Sequence, residues 1–350
     1  MRRRDVVAML GGSAAMFPRA PRILIPTFGS AWLAGPSAAR AQPAGRVFRI
    51  GCLYFAAFDN PVPRQLFGAF RQGLADLGYV EGKSVVFDHR SAEGRVDRFP
   101  DLAAELVRLR VDLIVAFSMG ATRAARRATT AIPIVSFALG DAVGAGFALS
   151  LSRPGGNVTG FSVLAPELAP KALSLLHEAV PKASRIAALW SPGSLSAGMA
   201  DDMLSRTGAA ARSIGVELAL ILVRAAKELD EGFSEIARQR AQAVLVLPSP
   251  LSNTERTRIS QLANRHRLPS ISWTREFAEA GGLMAYGSDL ADAHRRGAGY
   301  AIRILKGERP AEMPIEQPSK FELAVNLKTA KALNIAIPDA ILARADIVLE

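Results

Sequence analysis

The sequence predicts an α/β protein made of two doubly wound parallel-sheet lobes joined by three crossovers. From Arg46 onward, short apolar runs alternate with segments of helical period, the mark of βαβ units on a parallel sheet. The run Asp112-Leu-Ile-Val-Ala-Phe117 is continuous rather than alternating, as expected when helices cover both faces of a strand. Near the middle, Arg153-Pro-Gly-Gly-Asn-Val-Thr-Gly160 is turn-rich, and a new βα series starts after it.

In chain order, strands are expected at 47–54, 84–89, 112–117, 133–138 and 157–163. A second set follows at 185–190, 216–223, 243–248, 269–273 and 283–286. Between them lie helical stripes. Phe67, Phe70, Leu74 and Leu77 recur at spacings of three and four, as do Phe99, Leu102, Ala103, Leu106 and Val107, which places each set on one buried face. Leu77-Gly78 and Ser213-Ile214-Gly215 are helix stops. The turn at 153–160 is taken as the first crossover, Gly281-Gly282 through Gly287 as the second, and Arg309 to Pro318 as the third. The lobes would then be 46–160 plus 288–308, and 161–287 plus 309–350. A cleft between two such lobes is a place for a small ligand.

Composition narrows the function. The 350 residues carry a net charge of +11, with 49% hydrophobic and 21% charged residues. That balance excludes a disordered acidic chain and a disulfide scaffold. The single cysteine, Cys52, rules out an intrachain disulfide or a CxxC metal site. Arginine pairs such as Arg126-Arg127 and Arg295-Arg296 are the densest basic clusters after residue 41, too sparse for a nucleic-acid patch.

Residues 1–41 hold six arginines against one acid and read as an export signal. Arg2-Arg3-Arg4 form a basic region, Val6 to Phe17 is apolar, and Ala39-Arg40-Ala41 offers an A-x-A cleavage site before Gln42. Consecutive arginines ahead of the apolar stretch resemble a twin-arginine signal. Arg19 and Arg22 interrupt that stretch, and a second one runs from Ile23 to Leu33.

Catalytic motifs are missing from the sequence. It has no GxxxxGK[ST] loop, no GxGxxG after the first strand, no GxSxG and no HExxH. His89, His177, His266 and His294 fall on different expected elements and read as surface or helix-end residues rather than metal ligands. Asp201-Asp202 sits at a helix start, where capping and the helix dipole account for it. No cofactor or metal is expected.

Six stretches carry a family resemblance. They are Arg2-Arg-Arg-Asp-Val, Phe70-Arg-Gln-Gly-Leu-Ala-Asp-Leu-Gly-Tyr-Val-Glu-Gly82 and the 153–160 turn. The others are Arg275-Glu-Phe-Ala-Glu-Ala-Gly-Gly-Leu-Met-Ala-Tyr-Gly287, Arg303-Ile-Leu-Lys-Gly-Glu-Arg-Pro310 and Lys320-Phe-Glu-Leu-Ala-Val-Asn-Leu-Lys-Thr-Ala-Lys-Ala-Leu333. In this order they resemble the ABC-transporter substrate-binding proteins of the tryptophan/tyrosine type. The resemblance implies a type I periplasmic-binding fold, a small organic ligand, handover to an ABC permease in the inner membrane, and a periplasmic location, free or tethered through the signal. The chain departs from the family at four places: Ser118-Met119-Gly120-Ala121-Thr122 replaces a Gly-Gly-Thr-Pro-like turn, Tyr54 to Asp59 is unusually aromatic, Ser191-Pro192 replaces Asn-Pro, and Arg19 and Arg22 interrupt the signal. Ligand identity therefore does not transfer.

Ligands in open parallel sheets bind beyond the carboxyl ends of the strands. That rule, with the strands above, gives the candidate set Tyr54, Asp59, Ser118, Gly120, Thr122, Asp141, Ser162, Ser191, Ser249, Trp273 and Tyr286. Ser118 to Thr122 opens a helix whose free N–H groups suit a carboxylate, Asp141 suits an ammonium, and the aromatics suit a ring. Each has an ordinary alternative: Ser118 or Thr122 as a helix cap, Asp141 as a turn acid, Trp273 and Tyr286 as core packing. The expected function is a monomeric, exported solute-binding protein closing on an amino-acid-like molecule. A cytoplasmic ligand-sensing domain and a two-lobe α/β enzyme are the rival readings.

Overall fold

The computed structural model describes residues 46–193 and 195–350. The export signal expected at 1–41 lies outside the described residues.

The first sheet contains β1 (Phe48–Tyr54), β2 (Val85–Ser91), β3 (Leu113–Ala116), β4 (Ile134–Leu139) and β5 (Val158–Ser162) in the order β2-β1-β3-β4-β5. Every pairing in it is parallel. Helix α1 (Pro61–Asp76) covers one face, while α2 (Phe99–Arg108) and α3 (Met119–Ala128) cover the other. The stripes explain the sides. Phe67, Phe70 and Leu74 of α1 pack with Ile50, Cys52 and Tyr54 of β1, whereas Phe99, Leu102 and Leu106 of α2 pack with Leu53 and Ile114. The two-residue period of a strand divides β1 between the two cores.

The second sheet has seven strands: β6 (Arg185–Trp190), β7 (Glu217–Leu222), β8 (Ala243–Val246), β9 (Ser270–Ser272), β10 (Met284–Gly287), β11 (Glu322–Asn326) and β12 (Ile347–Leu349), in the order β12-β11-β10-β9-β8-β6-β7. Helices α4 (Ala165–Ala179) and α5 (Ala197–Ser213) lie on one face, and α6 (Leu229–Arg238) and α8 (Arg256–Arg265) on the other. The short helices α7 (Pro250–Thr254) and α9 (Arg275–Glu279) follow β8 and β9. Helix α10 (Leu290–Leu305) returns to pack on α1 and the first sheet, and α11 (Leu327–Ala332) and α12 (Asp339–Leu342) finish the second lobe.

All ten expected strands are present, each within two residues of its expected ends. The structure corrects the topology in four respects. The turn at 153–160 is not a crossover: it feeds β5, which pairs with β4, and the Asn157 amide donates to the Thr129 and Ile132 carbonyls at 3.0 and 2.8 Å. The chain crosses later, after Ser162. Gly281-Gly282 turns from α9 into β10 within the second sheet, and the crossing follows β10 at Ser288. Strands β11 and β12 were not expected, and β11 runs antiparallel to β10, so the second sheet is mixed. Finally, residues 161–162 complete the first sheet, and 310–316 runs beside β5. There Ser162 donates to the Glu316 carbonyl at 2.7 Å, and Ile315 donates to that of Leu151 at 2.7 Å. The third crossing is therefore confined to 317–321.

Two glycines permit these approaches. Gly160 has φ of +133° and faces Ser136 so closely that a Cβ would overlap its carbonyl oxygen. At Gly297 a Cβ would run into the Phe137 ring, so the bare backbone lets α10 lie against β4.

Candidate functional site

The carboxyl ends of both sheets converge on a small cavity between the lobes. Its walls include Phe117, Ser118 and Phe137 from the first lobe, Ser249, Asn253 and Trp273 from the second, and Leu290 and His294 from α10. Local chemistry fixes each wall. Ser118 ends the β3 segment in an extended conformation and caps α3, its Oγ accepting from the Ala121 N–H at 3.2 Å. Ser249 and Ser252 form a reciprocal capping box on α7. Ser252 Oγ also accepts from the Trp273 indole N–H at 3.3 Å. The Trp273 ring then crosses the gap to pack with Val62 and Leu66 of α1 and Leu290 of α10.

A second contact holds the lobes nearby. Gln65 of α1 donates to Glu276 at 3.3 Å and accepts from Arg256 at 3.3 Å, both partners lying in the second lobe. Burial pushes the Arg256 guanidinium below its usual range.

The aromatic side of the cavity is a connected stack. The His294 ring lies 3.9 Å from Phe137 and 5.3 Å from Phe117, and Phe117 lies 4.3 Å from Tyr54. His294 is only 2% exposed, and desolvation pulls its pKa down to about 4. It is therefore neutral. A second cavity of about 210 Å³ adjoins the first at Ser118 and Pro250, and reaches Phe55, Gly120, Ser191 and Arg224. Arg224 is the one charged residue among its described lining residues.

Two further hollows lie at the hinge. One of about 440 Å³ is bounded by Ser162, Asp289, Arg296, Lys320 and Glu322; the other, about 450 Å³, by Asp141, Ser162, Met199, Asp202 and Gln317. Their charged walls are largely self-paired, Arg296 bonding both Asp292 and Glu316. Among the described residues, no group of three or more His, Cys, Asp or Glu side chains is placed to hold a metal ion.

The candidate set divides accordingly. Ser118, Ser249 and Trp273 meet on the interlobe cavity, with Gly120 and Ser191 on its neighbour. Ser162 lines both hinge hollows and bonds the Gly140 carbonyl at 3.3 Å. The remaining five stand elsewhere. Tyr54 shares strand parity with Ile50 and Cys52, so it points into the core and bonds His89 at 3.0 Å. Asp59 is exposed in the turn before α1. Thr122 is one turn into α3, and its hydroxyl meets the Ser118 carbonyl at 2.9 Å and Ser136 at 2.7 Å. Asp141 lies in a different hollow from Ser118 and accepts from the Gly144 N–H at 2.7 Å, the geometry of a turn acid. Tyr286 stands beside Phe321, away from the cavity.

Sequence reasoning missed Phe117, Phe137, Asn253, Arg224 and above all His294, which is a buried wall residue rather than a surface or helix-end one. A signal existed for it: Leu290, His294, Gly297, Ala298 and Ala301 form one helical stripe, and every one is buried.

Among the described residues, no helix is long and apolar enough to cross a membrane. Residues 58–349 match the family of ABC transporter substrate binding proteins. A tyrosine-binding protein of Clostridioides difficile (strain R20291) is 27% identical over 269 residues, 76% of this chain and 75% of that protein. Two crystal structures superpose on 87% of this chain and on all of theirs, each at 25% identity. One is a conserved domain protein from Vibrio cholerae, with a TM-score of 0.79; the other is an ABC domain in complex with L-Trp from Streptococcus pneumonia, with a TM-score of 0.77. The two lobes have the architecture of type I periplasmic-binding proteins. The matched family is one of binding proteins rather than enzymes, and its model spans nearly the whole two-lobe body. The chain belongs to the ABC transporter substrate-binding proteins.

Proposed function

We propose that this chain is the exported solute-binding component of an ABC importer and that it closes its lobes on an aromatic amino acid. The observation that carries this reading is the interlobe cavity, where Phe117 and Phe137 of one lobe face Trp273 of the other. A neighbouring chamber, which shares Ser118 and Pro250 with it, holds Arg224. A ring side chain fits the first chamber by stacking and area burial. The α-carboxylate fits the second, between Arg224 and the amino end of α3 at Ser118 to Gly120. Tyrosine and tryptophan named for two relatives supply the ligand class.

The aromatic chamber has a volume of about 80 Å³, whereas a cavity that takes a benzene ring measures about 150 Å³. In the bound form the chamber therefore widens, with Trp273 standing farther from Phe117 than it does here, and the lobes close around the ring from that wider arrangement. Partnership with an inner-membrane permease, a periplasmic location reached through residues 1–41, and a monomeric state complete the proposal.

Titration calorimetry tests it. L-tryptophan or L-tyrosine should bind with a Kd of about 10 µM or tighter, with a negative heat-capacity change from apolar burial, while L-leucine and ribose bind far more weakly. No heat from any aromatic amino acid at millimolar concentration would refute the proposal.

A further inference from the structure

The His294 side chain has one nitrogen accounted for and one not. Its Nδ1 lies 2.6 Å from the Leu290 carbonyl oxygen, one turn back on α10. A carbonyl oxygen can only accept, so Nδ1 carries the proton. In a neutral imidazole, Nε2 is then a bare acceptor. That Nε2 is buried and has no hydrogen-bond partner.

An orphaned acceptor at such depth is uncommon and costs stability. The surroundings do not relieve it. The ring packs against Phe137 and Phe117, and the charged group acting on it is Asp289, itself engaged in capping α10 through the Asp292 N–H at 3.0 Å. His294 also lines the interlobe cavity. That cavity is lined mostly by apolar side chains, and His294 is a wall residue whose Nε2 has no partner.

We propose that His294 is the specificity-determining residue of the interlobe site, accepting at Nε2 a hydrogen bond from an N–H or O–H on the ring of the bound aromatic amino acid. The inference rests on the aromatic amino-acid reading and adds to it which rings are accepted. An indole or a phenol supplies a donor; a phenyl ring does not. A site with a buried polar group rejects the analogue that leaves this group unpaired much more strongly than it rejects a missing methylene.

The test compares affinities for L-tryptophan, 1-methyl-L-tryptophan, L-tyrosine and L-phenylalanine in three proteins: wild type, His294→Phe and His294→Gln. His294→Phe keeps a flat ring on Phe137 and removes the acceptor; His294→Gln keeps an acceptor. Wild type should prefer the better of tryptophan and tyrosine over its donor-less counterpart by about 10-fold or more. His294→Phe should reduce that preference to about 2-fold or less while still binding phenylalanine, and His294→Gln should retain part of it. Because 1-methyl-tryptophan also adds bulk, the informative quantity is the change in preference between proteins, which cancels a purely steric effect. Equal preference in wild type and His294→Phe, with both binding well, would overturn the role of His294 and leave the proposed function standing. Binding of none of the four by wild type would overturn the proposed function, and this inference with it.

Discussion

Replacing Gly160 by alanine should destabilise the protein by about 3–5 kcal/mol. Two costs add. The residue sits at φ of +133°, a region that β-carbon-bearing residues avoid. The new Cβ would also overlap the Ser136 carbonyl oxygen and lie 2.7 Å from the Ser136 nitrogen. Backbone cannot swing aside as a flexible side chain can. Pairing between β4 and β5 already shifts register between Ser136 and Leu139, so little slack remains there. The damage should reach the site, because Ser136 Oγ meets the Thr122 hydroxyl at 2.7 Å and Thr122 in turn bonds the Ser118 carbonyl. On the opposite side, the Gly160 carbonyl accepts from the Glu316 N–H at 2.9 Å, at the start of the third crossing. Urea denaturation of purified wild type and variant measures the cost. A difference below about 0.5 kcal/mol, the range of ordinary surface changes, would show that β5 does not approach β4 as described.

The second large effect is on binding. Trp273→Ala should weaken affinity for L-tryptophan or L-tyrosine by about 30-fold or more, the scale of a central aromatic anchor removed from a desolvated contact. Trp273 belongs to the second lobe through its bond to Ser252 and reaches the first through Val62 and Leu66. It can therefore cover a ring only when the lobes are together, and deleting it removes both stacking area and part of the closed contact. Trp273→Phe retains a ring but loses the donor to Ser252, so its loss should stay under about 10-fold. Calorimetry on variants that still melt cooperatively gives both values. An affinity for Trp273→Ala within about threefold of wild type would move the ring elsewhere.

The strands were legible because buried parallel strands need unbroken apolar runs, and those runs stand out at Asp112 to Phe117 and its neighbours. The crossings were not. Turn chemistry at 153–160 shows where the chain bends, but the sheet that β5 joins depends on its pairing with β4, a contact between distant segments. Strands β11 and β12 join the edge of the second sheet by pairing with β10 and with each other, contacts between distant segments that no local run announces. Ser118, Ser249 and Trp273 followed from the strand-end rule alone. Tyr54 did not obey it, because the parity shared with Ile50 and Cys52 turns its ring inward. Asp141 shows the limit of charge reasoning. Its carboxylate suits an ammonium, yet a local N–H from Gly144 takes up one of its oxygens. His294 taken alone reads as a surface or helix-end residue, whereas its stripe with Leu290 and Gly297 marks it as facing inward.

A crystal structure of the protein grown with L-tryptophan or L-tyrosine tests the central claim most directly. The ring should lie among Phe117, Phe137 and Trp273, its N–H or O–H about 3 Å from His294 Nε2, with the carboxylate toward Ser118 and Arg224. An amino acid bound instead in a hinge hollow, beside Arg296 and Lys320 or against Asp141, would contradict the account.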